Sequence, residues 1–161
     1  MKYIKPSEWV LAGKTPNKYI TYLDHETLYL GKPSLCLYSL KEKMIGHGTT
    51  FIILDGSAYS DKRIRFSGKL KTEMVEKYAG LWIRSENETS DLFGFDNNYP
   101  NLGFGTTSWK EYHITLDIPH NCQTLGLGVE LNGSGKVWLN DVKLEIVDNT
   151  VPLTYYQIEN V

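Results

Sequence analysis

The chain has little of what small secreted or membrane proteins depend on. Its two cysteines, Cys36 and Cys122, are far apart and have no Cys or His neighbour at metal-ligand spacing, too few for a disulfide framework, so reduced structural thiols are expected. No apolar run approaches the roughly 20 residues of a membrane span, and the opening MKYIKPSEWVLAG lacks a signal-peptide core. A cytoplasmic protein without membrane contact is expected. Charge of one sign is missing too. Seventeen basic and 19 acidic residues are mixed along the 161-residue chain, for a net charge of −2, which leaves no general field for nucleic acid or anionic lipid. The four histidines are scattered with no HExxH or HxH spacing, and there is no GxSxG elbow. The glycines of GLGFG and TLGLG precede no helix, so they cradle no phosphate. No catalytic residue, cofactor or metal is assigned.

What is present is alternation. Fourteen glycines and eleven tyrosines, with few helix-forming runs, suit a sheet protein with tight turns. The stretch Arg63–Arg84 reads as two strands and a turn. Ile64, Phe66 and Leu70 oppose Arg63, Arg65, Ser67, Lys69 and Lys71; in the second strand Leu81 and Ile83 oppose Trp82 and Arg84. Met74–Tyr78 is too short for an independent helix and reads as loop. Residues 1–18, with two prolines, form an irregular lead-in segment anchored by Trp9. Strands are expected at Tyr19–Leu23, after Gly31, and at Thr49–Leu54, the last apolar on both faces and hence central and buried. Leu92–Phe95 is another, followed by an irregular loop, DNNYPNLGFGTTS. Glu111–Ile118, Leu125–Leu131 and Lys136–Val147 alternate cleanly, and residues 149–161 form a surface strap that includes Tyr155 and Tyr156. The total is about nine strands and no helix. Without a repeat or linker, residues 1–161 are expected to form a single domain, an all-β, two-sheet antiparallel jelly-roll sandwich.

The runs YSDKRIRFSGKLKTE, AGLWIR, FGTTSWKEYHITLDIP and GSGKVWLNDVKLEIVD resemble, in this order, the galactose-binding-domain-like jelly roll of many carbohydrate-binding modules. The resemblance runs from about Tyr19 to Asp148 and implies the fold, with saccharide binding by analogy. In relatives of that group the position of Asp141 can hold a structural calcium, with Asp24 as a second carboxylate; one or two carboxylates are not the six to eight oxygens calcium takes. The chain also resembles small bacterial stand-alone proteins labelled as transcriptional regulators of the arabinose-regulator (AraC) type, which implies an effector-sensing domain. It departs from them in having no pair of amphipathic helices for a helix-turn-helix, so direct DNA binding is not transferred.

The candidate ligand residues are Trp82, Arg84, Arg65, Asp96, Glu130, Asn132 and Tyr38. Trp82 and Arg84 offer a stacking face and charge-assisted donors for a sugar, or else cross-strand cover of the sheet. Arg65 and its basic neighbours supply further donors, or else protect an edge strand. Glu130 and Asn132 bind hydroxyls, or pair and solvate. Asp96, with Asn97, closes over a ligand or initiates a turn, and Tyr38 has the same two readings. Trp109 and Trp138 read as structural. The expected function is a non-catalytic module for a saccharide or similar polyhydroxylated ligand. The alternative is a cytosolic sensor or protein-interaction domain linked to transcription through a partner.

Overall fold

The computed structural model describes residues 2–3, 8–87, 92–96 and 102–154, with residues 2–3 and 92–96 described as backbone only. Among the described residues ten antiparallel strands form one curled sheet: β1 Lys2–Tyr3, β2 Val10–Ala12, β3 Tyr19–Tyr29, β4 Lys32–Ser39, β5 His47–Asp55, β6 Arg63–Glu86, β7 Leu92–Asp96, β8 Gly103–Asp117, β9 Thr124–Asn132 and β10 Lys136–Val147. Two short 3-10 turns, Pro16–Lys18 and Ser57–Tyr59, lie among the described residues, and no α-helix does. No helix there is long and apolar enough to cross a membrane.

The sheet folds on itself because β6 serves both layers. Its first half lies between β10 and β8, in a layer ordered β3-β4-β10-β6-β8; its second half lies between β9 and β7, in a layer ordered β2-β5-β9-β6-β7. The sequence reading of two strands and a turn is therefore corrected: Arg63–Glu86 is one strand of 24 residues. The Met74–Tyr78 loop belongs to it. At Met74 the backbone turns to φ 50°, and the register with β8 shifts between Thr72 and Val75. This bulge adds a residue and flips the alternation. Even-numbered Ile64, Phe66 and Leu70 face the core before it, and odd-numbered Ala79, Leu81 and Ile83 after it.

The alternating residues of β8, β9 and β10 fill the space between the layers as expected. Tyr112, Ile114, Leu116 and Ile118, then Leu125, Leu127, Val129 and Leu131, then Val137, Leu139 and Leu144 are all buried. Cys36 and Cys122 are free and buried, and burial pushes the Cys36 thiol up to about 12.

Other expectations need correction. The lead-in segment is not irregular throughout: Lys2–Tyr3 pairs with β10, and Val10–Ala12 forms the edge next to β5. Trp9 is buried, as an anchor of that segment must be. Gly103–Ser108, read as loop, is the start of β8, since pairing with β6 satisfies its backbone; residues 97–101 lie outside the described residues. Thr49–Leu54 is not buried on both faces, because β5 has only the short β2 beyond it and Ile53 is 56% exposed. The basic row of β6 lies in a central strand, not an edge. Arg63 pairs with Asp117, Arg65 with Glu145 and Lys69 with Glu111. The final strap is tied down at Thr154, whose N–H donates to Thr115 O at 2.9 Å; Tyr155 and Tyr156 lie outside the described residues.

On the outer face of the first layer, β3 bulges between Asp24 and Leu28, and Tyr29 reaches across to pack edge-on against Trp109 at 5.4 Å. Beneath, Trp138 donates its Nε1–H to Asp24 Oδ2 at 2.8 Å, while the N–H groups of Glu26 and Thr27 donate to Asp24 Oδ1. Burial alone would raise the Asp24 carboxyl, yet these donors hold it down at about 2, below its ordinary 3.8. Asp24 is thus spent on Trp138 and its own turn, and Asp141 pairs with Lys143. No cluster of metal-ligating side chains occurs among the described residues. Because the folded-state carboxyl is depressed, its stabilisation is present above pH 3.8 and lost as pH falls toward 2. Asp24→Ala, which strips the Trp138 indole, two backbone N–H groups and the Tyr22 hydroxyl of their acceptor, is expected to cost about 3 kcal/mol at neutral pH in urea denaturation, with the difference from the native protein shrinking at acid pH.

Candidate functional site

The outer face of the second layer carries a cleft of about 480 Å³. Strand register explains who lines it. Trp82 lies opposite Gly128 and Arg84 opposite Gly126 across the β6–β9 pair, while Phe51 lies opposite Gly128, Ile53 opposite Gly126 and Thr49 opposite Glu130 across the β5–β9 pair. Directly opposed residues share a face, so three strands project these side chains together. Ala12 from β2, with His47, Glu86 and Thr124, completes the wall.

The indole of Trp82 lies flat on β9 because two glycines leave room for it. A Cβ on Gly128 would stand 2.2 Å from an indole carbon, and one on Gly126 would stand 3.2 Å away. The ring is fixed from the other side by its Nε1–H, which donates to Thr49 Oγ1 at 2.6 Å; that hydroxyl in turn donates to Val129 O at 2.9 Å. Phe51 packs beside it, ring centroids 5.9 Å apart. The centre of the cleft is therefore a rigid aromatic and aliphatic surface open to solvent.

Its two ends are polar. At one, Arg84 Nε pairs with Glu86 Oε1 at 2.6 Å. At the other, Glu130 sits with its side chain 17% exposed and Oε1 3.9 Å from His47 Nδ1. Burial pushes the Glu130 carboxyl up, opposed by His47 and by a hydrogen bond from Tyr78. Asn132 Nδ2 donates to the Tyr78 hydroxyl at 3.2 Å, placing Asn132 behind Glu130. Four residues of β9 separate the Arg84 and Glu130 positions, about 13 Å of strand, enough for more than one sugar ring.

Of the candidates read from sequence, Trp82, Arg84 and Glu130 converge on this cleft and Asn132 stands at its margin. Arg65 and Tyr38 do not join them. Arg65 bonds Glu145 on the first layer, and Tyr38, also on that layer, packs edge-on against Tyr22 with Lys136 over its ring. Asp96 is paired in register with Ile83; its side chain, like Asn97, lies outside the described residues. Sequence reasoning missed His47, Thr49, Phe51 and Ile53. The signal was glycine at two successive outward positions of TLGLGVE, Gly126 and Gly128, which marks a face where something flat must lie close to the backbone.

No protein-family model matches the chain. It is 37% identical over 151 residues to the uncharacterised HTH-type transcriptional regulator YbfP of Bacillus subtilis, a match covering 93% of this chain and 51% of that protein. The chain thus spans about half the length of this relative. Among solved structures it is similar to the CBM22-1 xylan-binding domain of Paenibacillus barcinonensis Xyn10C (TM-score 0.61, 12% identity, 87% of this chain and 86% of that one). It is also similar to the CBM22-1–GH10 modules of Clostridium thermocellum Xyn10B complexed with xylohexaose (TM-score 0.66, 10% identity, 90% of this chain and 27% of that one), and to TmCBM61 in complex with β-1,4-galactotriose (TM-score 0.56, 12% identity, 88% of this chain and 90% of that one). The fold is that of a carbohydrate-binding-module jelly roll. At these identities the likeness concerns fold alone, and the content of the cleft belongs to this chain.

Two outcomes test this geometry. Gly128→Ala forces the indole off β9 and is expected to shift Trp fluorescence to the red and to cost about 1–3 kcal/mol. Glu130→Gln is expected to melt higher than the native protein at neutral pH. A carboxyl raised in the folded state above its ordinary 4.5 carries a penalty that is absent below that value, grows as pH rises through the folded-state value, and is complete above it. The two melting temperatures should therefore converge below about pH 4.

Proposed function

We propose that the chain is a non-catalytic saccharide-binding module whose ligand lies along the cleft of the second layer. The single observation that carries this reading is the indole of Trp82, held flat and solvent-facing on two glycines between polar ends. Sugar rings present C–H faces that pack on an aromatic surface and hydroxyls that seek fixed donors and acceptors at its rim. Ile53 is exposed and Phe51 and Trp82 stand half-buried beside it, so the three offer a ligand one continuous apolar surface. The similarity in fold to xylan- and galactotriose-binding modules supports the ligand class. Binding is favoured over hydrolysis because Glu86 and Glu130 stand six residues apart along the β9 register, about 20 Å of strand, whereas glycosidase carboxyls lie about 5–9.5 Å apart.

The 37% identity to a helix-turn-helix regulator favours a second, compatible reading in which this module is the effector-sensing part of a transcriptional regulator. A small soluble saccharide, not a polysaccharide fibre, is then the ligand, and a protein partner or further domain carries the response.

Calorimetry against xylohexaose, cellohexaose and β-1,4-galactotriose tests the first reading. The native protein is expected to bind at least one of them, Trp82→Ala to lose about tenfold or more, Trp82→Phe to retain part of the affinity, and Arg65→Ala on the opposite layer to bind as the native protein does. Absence of binding to the panel, or full affinity in a folded Trp82→Ala variant, would overturn it.

A further inference from the structure

The polar end of the cleft at Glu130 has a detailed order that the saccharide reading does not itself require. His47 opens β5, opposite Asn132 at the close of β9. Its Nε2 accepts the backbone N–H of Lys14 at 3.3 Å, and its carbonyl accepts both the N–H and the hydroxyl of Thr15. The turn after β2 therefore grips this residue at two points. An Nε2 that accepts a hydrogen bond has no proton, so the neutral ring carries its hydrogen on Nδ1. That Nδ1–H faces Glu130 Oε1 across 3.9 Å, too far for a hydrogen bond between them.

Glu130 has a neighbour behind it as well. The Tyr78 hydroxyl accepts from Asn132 Nδ2 and counters the rise of the Glu130 carboxyl. Burial pushes the Tyr78 phenol up, so it stays protonated as a donor. With its oxygen accepting from Asn132, the phenol keeps its hydrogen for the Glu130 side. The titratable groups facing the pair are Tyr78 from β6 and, through its field, Tyr19 from β3; Lys14 contributes its main chain. A donor and an acceptor, each oriented from behind, are left confronting one another across a gap open to the cleft, with the two side chains 32% and 17% exposed.

We infer that His47 and Glu130 form a clamp for a single ligand hydroxyl, with His47 Nδ1–H donating to the hydroxyl oxygen and Glu130 Oε1 accepting the hydroxyl hydrogen. An oxygen can stand about 2.8 Å from both atoms at once. Only a group that donates and accepts through one atom satisfies both, which selects an alcohol over a carboxylate, a carbonyl or an ammonium. This rests on the saccharide reading for the identity of the ligand and deepens it: the clamp fixes one hydroxyl in place while Trp82 holds the ring face. It also makes the β2–β3 turn part of the binding site, since loss of the Lys14 contact frees the tautomer.

The test separates the clamp from the broader reading. In long-range proton–nitrogen spectra of the ligand-free protein near neutral pH, His47 is expected to show the Nδ1–H tautomer; the Nε2–H form would overturn the clamp. In His47→Gln the amide stands at the Nε2 position, keeping a partner for Lys14 N–H but losing the donor to the ligand. Affinity for whichever of xylohexaose, cellohexaose and β-1,4-galactotriose the native protein binds should fall about tenfold at little change in melting temperature. His47→Asn, with its amide at the Nδ1 position, should recover at least about a third of that loss on the logarithmic scale. Native affinity in His47→Gln, or no recovery in His47→Asn, would overturn the clamp. If none of the three saccharides binds the native protein, the saccharide reading fails. The clamp geometry is then decided by the ring tautomer, an Nε2–H ring contradicting it.

Discussion

Everything in this molecule depends on β6 belonging to two layers at once. A strand of 24 residues cannot keep one face on a closed core unless its alternation changes where the sheet bends, and the bulge at Met74 makes that change. Had the alternation run on unbroken, Leu81 and Ile83 would face solvent and Trp82 and Arg84 the core. The backbone conformation at Met74 is unfavourable for a residue with a side chain, and the side chain, 75% exposed, gains nothing from packing there. The bend is retained because pairing with β9 and β7 beyond it satisfies the backbone of the second half. The same bulge that closes the sandwich turns Trp82 outward.

The cleft follows from that orientation and from what β9 lacks. With Gly126 and Gly128 opposite Trp82, the indole can lie against the backbone; with any larger residue it would stand up and fill the cleft. Thr49 then locks the ring in its plane. The remaining asymmetry is electrostatic. Arg84 and Glu86 neutralise each other at one end, while Glu130 keeps an acid group in a partly dry setting at the other, against the cost of burial. A protein with no ligand to bind would gain stability by replacing that acid, which is why Glu130 weighs more in the functional reading than the better exposed charges.

The sequence showed faces well and layers poorly. Period-two alternation in Glu111–Ile118, Leu125–Leu131 and Lys136–Val147 marked the core correctly, because each strand has one wet side. Trp82, Arg84 and Glu130 were legible for the same reason. Arg65 and Tyr38 also point outward, but on the opposite layer, and periodicity carries no information about which layer a strand joins. Phe51 and Ile53 were hidden by the reverse problem: a strand apolar on both faces reads as buried, when one of those faces lines an open cleft. The Met74 bulge had no glycine to announce it. His47 carried no motif at all; its place depends on Lys14, 33 residues earlier, and on a strand 85 residues later that only the fold brings near.

Amide chemical-shift mapping during titration with xylohexaose, cellohexaose and β-1,4-galactotriose tests the central claim most directly. Saturable shifts confined to Thr49, Phe51, Trp82, Gly126, Gly128 and Glu130 are the result this account predicts. Shifts centred instead on Tyr22, Tyr38 and Lys136 of the opposite layer, or none at millimolar saccharide, would contradict it.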